Sequence, residues 1–598
     1  MKNFFKITLA SLLAFIIGSV LLLFIGIGIF GAIVASGDQP VTVKNNTVLE
    51  ITLNKEIMDR GSDNPLDGFN FMSLKSKPKL GLNDILDCIE KAKTDDKIKG
   101  IYLNISDIAS SFGGYAVAQE IRNKLKEFKT SGKFIVAYNN MGFSQKAYYL
   151  ASVSDSIFLN PQANIWFTGM GGEMTFYKNF LKKIGVEAQV VRVGKYKSAT
   201  EPYFLEKMSE ASREQNLAYT SAMWNQMAEG IAQERDITVD AFNNLTNELA
   251  VRKPQHALDY KLIDGIIYED QMLAKLKDLT GTRSKKKLNK IGIEKYIKAP
   301  KLDRTFSKNK IAVIYATGGI GFEQSSTSIG PELAETIRTA RQDSTIKAIV
   351  LRINSPGGSA LISDIIWREV DLARQEKPVV ASMGNVAASG GYYIACAADT
   401  IVADPNTITG SIGIYGLFFS GEELIKDKLG ITTDPIGTHK YSSFGGGYPI
   451  PFMPFSSRKF NKQERLILQE YLNDGYDTFL SRVANGRHKT VEEIHKVAQG
   501  RVWNAIDAQK NGLVDVLGGL ETAIAIAKEK AGIEDYRISS LPKEKDPFQA
   551  IIDDLTGNVK VRILKNELGV NYQYYEKTKE IMNLGGIQAR IPYQIDLY

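Results

Sequence analysis

The sequence predicts an α/β protein made of two tandem units of one design, set behind a single N-terminal apolar span. Three observations carry this. No charged residue falls between Lys6 and Asp38. A long block of sequence recurs 244 residues further on. Within each copy, short apolar runs alternate with stretches of helical periodicity, the pattern of a layered α/β unit.

The span comes first. Its core, SLLAFIIGSVLLLFIGIGIFGAIVA, exceeds the roughly 20 apolar residues needed to cross a hydrocarbon layer. The apolar core of a cleaved signal is shorter, about 7–15 residues, although Ala35, Ser36 and Gly37 leave cleavage open. Residues 1–6 are therefore read as a cytoplasmic tail and residues 7–35 as a transmembrane anchor. Lys2 and Lys6 precede the span and Asp38 follows it, which keeps the N-terminus in the cytoplasm and the bulk of the chain outside. No later run is comparable, so one crossing is expected.

The repeat sets the rest of the organisation. IKGIYLNI (Ile98–Ile105) answers IKAIVLRI (Ile346–Ile353), and Lys133–Pro161 aligns without a gap on Lys377–Pro405. FGG (Phe112–Gly114) stands where the second copy has PGG (Pro356–Gly358). LKKIGV (Leu181–Val186) and ALDYKLID (Ala257–Asp264) have counterparts at Lys426–Ile431 and Ala508–Asp515. The runs IAVIYA, AIVLRI and VVASM read as buried strands; ELAETIRTARQD and DIIWREVDLARQ read as helices. The first copy spans residues 46–282 and the second 310–541. The basic stretch 283–309 between them reads as an irregular linker. The tail, 542–598, has no counterpart in the first copy.

Composition narrows the function. Of 598 residues, 44% are hydrophobic and 24% charged, the balance of a folded protein. A net charge of +7 on so long a chain is too dilute to argue for nucleic acid. Cys88 and Cys396 lie in apolar segments and read as buried thiols. With four histidines and two cysteines, none in ligand spacing, no metal site is expected. ATGGIG (Ala316–Gly321) and SFGGGY (Ser443–Tyr448) lack the lysine-terminated phosphate-loop pattern, so no nucleotide or other cofactor is expected.

The second copy carries NSPGG (Asn354–Gly358), AASGGYY (Ala387–Tyr393) and TGSIG (Thr409–Gly413) in that order. Small residues around a serine let backbone N–H groups approach a substrate closely, and two such donors can hold a developing oxyanion. Gly358 and Gly390 are the natural pair. An isolated SGG is usually just a tight turn; three such blocks in sequence on one repeat are harder to explain that way. A serine hydroxyl is a weak nucleophile and needs a base within reach. There is no G-x-S-x-G elbow. His439 and His488 stay open as bases on residue type alone, and a lysine can serve if burial lowers its pKa.

These blocks resemble those of the signal peptide peptidase A family, in its long, tandem-repeat (67K-type) form. VGKYKSATEPYF (Val193–Phe204) resembles the block that carries that family's lysine base. The resemblance runs from the anchor to the end of the second copy. It implies two Clp-protease/crotonase-like repeats and a serine endopeptidase with a Ser/Lys dyad, degrading cleaved signal peptides and similar apolar peptides. Carried over motif by motif, it makes Ser389 the nucleophile, Lys197 the base, Gly358 and Gly390 the oxyanion donors, and Ser411 the residue that orients the base. It implies no cofactor, peptide partners, and a homo-oligomer, a tetramer favoured. The expected location is the bacterial cytoplasmic membrane, single-pass, with the catalytic part on the periplasmic side. Two other readings use the same fold: a crotonase-like acyl-CoA enzyme and a non-catalytic membrane scaffold.

The repeat assigns the division of labour. Gln145 stands at the place of Ser389, with Ser144 beside it, so the first copy lacks the nucleophile. Both copies keep a lysine, Lys197 and Lys440. Since the family's base comes from the neighbouring repeat, Lys197 is expected to serve Ser389. Lys195, close in sequence, would help lower its pKa if it pointed the same way.

Overall fold

A computed structural model describes residues 41–62, 69–70, 75–76, 79–108, 114–300, 307–322, 328–450, 455–543 and 586–591, and helical residues at 4, 6–8, 10–18 and 21. Most of the expected anchor lies outside the described residues, as does Phe112–Gly113 of the first-copy FGG. Among the described residues no helix is long and apolar enough to cross a membrane.

Each copy builds a parallel sheet with the same strand order. In the first the order is Gly265–Ile266, Ser156–Leu159, Phe134–Asn139, Ile98–Leu103, Thr47–Ile51 and Asn289–Gly292. In the second, six parallel strands keep that order, Val516–Leu517, Thr400–Ala403, Val379–Ala388, Ile346–Ser355, Lys310–Thr317 and Arg537–Leu541, while Ile408–Gly410 also pairs with the end of Val379–Ala388 and carries Val502–Asn504 antiparallel on its other side. Nine of the ten residues of Ile346–Ser355 and all ten of Val379–Ala388 are buried. Burial along nearly the whole strand is the mark of parallel strands covered on both faces. The cover includes Ala360–Arg374, which turns Ile362, Ile366, Trp367, Val370 and Ala373 inward and is capped by Ser359 accepting from the Ile362 N–H. One packing detail repeats in both copies: the Tyr148 hydroxyl donates to the Leu262 carbonyl, and Tyr392 donates to Leu513.

One expectation needs correction. The stretch 283–309 is not irregular throughout. Asn289–Gly292 pairs with Thr47–Ile51 and ends the first sheet, as Arg537–Leu541 ends the second; Ile291, Ile293 and Tyr296 are buried in the first core. The tail after 541 also takes part in the fold, through the strand Gly586–Arg590.

A third sheet joins the copies. Its order is Glu187–Arg192, Tyr415–Ser420, Gly586–Arg590, Gly357–Ser359, Gly319–Ile320 and Ser328–Ile329. The first of these strands belongs to the first copy and runs antiparallel to Tyr415–Ser420 along six residue pairs. This pairing brings the segment after Arg192 onto the second copy.

Candidate active site

The nucleophile candidate sits at the end of a strand. Val379–Ala388 runs out at Ala388, and the helix Gly390–Ala395 starts at once. Ser389 joins them with φ 55° and ψ −113°, a sparsely populated conformation for a residue with a side chain. The Ser389 N–H donates to the Gly410 carbonyl at 2.8 Å, tying the turn to the TGSIG block. Ser411 also has positive φ, 51°.

NSPGG is positioned by an interrupted ladder. The register between Ile346–Ser355 and Val379–Ala388 shifts between Ile353 and Ser355, a bulge that re-aims the strand end. The Asn354 side chain bridges the interruption: its oxygen accepts from Val386 N–H at 3.2 Å and its amide donates to Asp59 at 2.7 Å. Gly357 and Gly358 follow as a short strand rather than a loop. A Cβ on Gly358 would stand 2.0 Å from the Ile320 carbonyl oxygen, and φ there is 156°, so only glycine fits.

Lys197 arrives from the other copy. After Glu187–Arg192, Tyr196 N–H donates to the Gln499 carbonyl at 2.9 Å. The Gln215 amide donates to the Tyr196 carbonyl at 3.0 Å and to Ser198 Oγ at 2.8 Å, and its oxygen accepts from Val502 N–H at 3.1 Å. Gly500 makes room: a Cβ there would lie 2.7 Å from Lys197 Cβ. Gln215 and Gly500 escaped the sequence reading, because both act across long separations and neither belongs to a catalytic motif.

The parts then meet. Lys197 Nζ lies 2.7 Å from Ser389 Oγ, 3.0 Å from Ser411 Oγ and 3.0 Å from the Ser411 carbonyl oxygen. Lys197, Ser389 and Ser411 are all 0% exposed. Burial holds the Lys197 amine well below the usual lysine range. Lys195 does not contribute as expected: it is exposed and lies against the Tyr196 ring. Lys440 is exposed beside Tyr441. Neither His439 nor His488 is placed against Ser389, whose hydroxyl meets Lys197 and, at 3.5 Å, the Gly413 carbonyl.

The equivalent point of the first copy is closed. Gln145 accepts from the N–H groups of Thr168 and Gly169 and donates to the Gly169 carbonyl. Ser144 caps its helix through Ala147 N–H and donates to Asp107 at 2.6 Å. Ser389 makes no such side-chain cap, which leaves its hydroxyl to the lysine.

A buried serine with a lysine amine at hydrogen-bond distance and glycines beside it is an arrangement able to activate a hydroxyl nucleophile. The chain belongs to peptidase family S49, whose model matches residues 127–283 and 371–534, once in each copy. It is 34% identical over 557 residues to the chloroplastic serine protease SPPA of Arabidopsis thaliana, covering 92% of this chain and 78% of that one. It is 33% identical over 565 residues to Protease 4 of Salmonella typhi, covering 91% and 88%. The tandem match and this end-to-end likeness are those of the long form of signal peptide peptidase A. The acyl-CoA and scaffold readings fall away. Among solved structures, a ClpP1 mutant from Listeria monocytogenes aligns at a TM-score of 0.23 with 16% identity, over 36% of this chain and 95% of its own; so slight an overlay carries no weight.

Proposed function

We propose that this serine peptidase works through a Ser389/Lys197 dyad shared between its two copies. The observation that carries the reading is the 2.7 Å contact between two fully buried side chains, one from each copy. Neutral Lys197 takes the Ser389 proton as Oγ attacks a peptide carbonyl. Gly358 and Gly390 N–H groups hold the oxyanion. The lysine, now protonated, gives its proton to the leaving amine, and water then hydrolyses the ester by the reverse route. Ser411, with its Oγ and carbonyl both 3.0 Å from the amine, fixes where Nζ points. A serine-reactive phosphonate should label the wild type at Ser389 and leave Ser389→Ala unlabelled and inactive, with its melting temperature nearly unchanged. Labelling of a different residue, or an active Ser389→Ala, would refute the dyad.

The substrates proposed are cleaved signal peptides and similar apolar peptides, handled by a membrane-anchored homo-oligomer of Clp-protease/crotonase-like units on the outer side of the cytoplasmic membrane. The uncharged run between Lys6 and Asp38 supports the anchor. The full chain should stay with membranes through an alkaline carbonate wash, and a chain starting at Val41 should be released and still cleave peptides. Release of the full chain by that wash would remove the anchor from the model.

A further inference from the structure

The basic stretch between the copies has no part in the chemistry, yet it is held in one place. Lys277 Nζ donates to the Ser284 carbonyl at 2.7 Å, and Lys286 N–H donates to the Arg283 carbonyl at 2.8 Å. Leu288 is buried in the cluster of Val48 and Tyr102. Between these fixtures Arg283, Lys285, Lys286 and Lys287 are exposed. The charges are therefore presented on a turn.

Their place in the first sheet gives them a partner. Asn289–Gly292 follows the run directly and pairs in parallel with Thr47–Ile51, Asn289 opposite Thr47. Ile98–Leu103 lies on the other side of Thr47–Ile51, also parallel. The chain thus enters all three strands at one edge of the sheet. Bonds tie the three entries together. Asn289 Nδ2 donates to the Asn45 carbonyl at 3.1 Å, Thr47 N–H to the Lys97 carbonyl at 2.9 Å and Thr47 Oγ1 to the Lys44 carbonyl at 2.7 Å. Lys44 and Lys97 are exposed as well, so the entering segments 41–46, 95–97 and 283–288 set six exposed cations against one exposed carboxylate, Asp96. Asp95 is buried and accepts from the Tyr296 hydroxyl. Among the described residues none of the six cations is in an ion pair.

This edge is also the one that the anchor leads into. Val41 is six residues beyond Ala35, the end of the expected span. At no more than about 3.6 Å per extended residue, the link holds Val41 within roughly 22 Å of the end of the span. The opposite edge, where the strands run out, carries Asn104 and leads to Ser106, whose carbonyl accepts from Ser144 N–H at the closed point of the first copy.

We propose that the entry edge of the first copy docks on the anionic phospholipid headgroups of the membrane that holds the anchor, with Arg283, Lys285, Lys286 and Lys287 as the main contacts. This rests on the anchor reading given above. Clustered lysines and arginines beside a membrane span are drawn to anionic lipid surfaces. Lysine meets scattered phosphates as a point charge and needs no shaped pocket. The attraction fades over a Debye length, roughly 8 Å at physiological salt, and the short link supplies the closeness it requires. A tether alone would leave the catalytic part free to tilt. The second contact selects which edge faces the lipid and turns the opposite edge of that sheet away from it.

Energy transfer on the full-length protein in lipid nanodiscs tests this. Ser284→Cys carries a donor dye; Ser284 is exposed and held through its carbonyl, and both native cysteines are buried. The acceptor sits on the lipid headgroups. Transfer should be about twofold higher in discs containing phosphatidylglycerol than in discs of phosphatidylcholine alone, and half-molar salt should remove the difference. The combined change Lys285→Gln, Lys286→Gln and Lys287→Gln should remove it too, with peptide cleavage and melting temperature unchanged. If transfer is equal on both lipids while the protein co-elutes with both discs, the docking is wrong and the anchor stands. A difference that survives the triple substitution also overturns the docking, because other groups then make the contact. If the full chain co-elutes with neither disc, the anchor reading fails and takes the docking with it.

Discussion

Lys197→Met is expected to lower kcat/KM by on the order of 10²- to 10⁴-fold, the usual contribution of a positioned base, while the protein stays folded. Methionine fills much of the same buried space without a titrating group. The cause of the loss is protonation. An ordinary lysine, with a pKa of about 10.4, is neutral in fewer than about one molecule in a thousand at pH 7. Lys197 escapes that limit because burial disfavours its charged form. Activity of the wild type should therefore rise with pH as the amine loses its proton, and level off above the depressed pKa. The effect on stability has the same sign. Below that pKa the folded state must hold a buried cation, a cost that shrinks as pH rises toward the unfolded lysine value. Lys197→Arg should be as inactive as the methionine variant, since guanidinium does not deprotonate in this range. Lys440→Ala should act like an ordinary surface change, within roughly 0.5 kcal/mol. Rate profiles from pH 6 to 10 on the four proteins settle the point. A wild-type profile that falls with rising pH, or an inactive Lys440→Ala, would overturn the assignment.

Much of the site was legible because its chemistry is local in sequence. NSPGG, AASGGYY and TGSIG each need small residues at fixed spacing, and the 244-residue repeat exposed Gln145 as the degenerate counterpart of Ser389. The choice of Lys197 over Lys440 needed family resemblance, since both stand in similar short blocks. What decides between them physically is the pairing of Glu187–Arg192 with Tyr415–Ser420, a contact across more than 200 residues that leaves no local trace. The strand Asn289–Gly292 was hidden for a different reason. It is short and at a sheet edge, where charge is tolerated, and Lys290 reaches along the sheet face to Glu50 on the strand it pairs with. Gly586–Arg590 was hidden more completely. GGIQAR has no alternating pattern, and its extended shape comes from the two edges that flank it.

The largest effect on stability should come from Arg352→Met. Arg352 is fully buried and gathers groups from both copies: Nε donates to Asp59 at 2.7 Å, Nη2 to Glu120 at 2.6 Å and Nη1 to Ser382 at 3.1 Å. Burial by itself would lower its pKa, but Glu120 and Asp59 outweigh it and the guanidinium is held more firmly charged. The two carboxylates have further duties. Asp59 accepts from Asn354, and Glu120 accepts from Leu520 N–H at 2.7 Å. Methionine would leave both carboxylates buried near each other with no cation between them. Breaking a buried ion pair in this one-sided way costs about 3–5 kcal/mol, or a fall of about 10 °C in the melting temperature of the unit affected. Arg352→Lys should recover part of the loss, keeping the charge but not the fork that reaches three partners at once. The damage should also reach the chemistry. Asp59 anchors Asn354, Asn354 bridges the bulge before NSPGG, and that segment carries the Gly358 N–H. Residual activity of Arg352→Met well below its melting temperature should therefore show a lowered kcat more than a raised KM. A shift under about 2 °C would mean that water reaches these carboxylates, and that the contact between the copies is held by apolar packing instead.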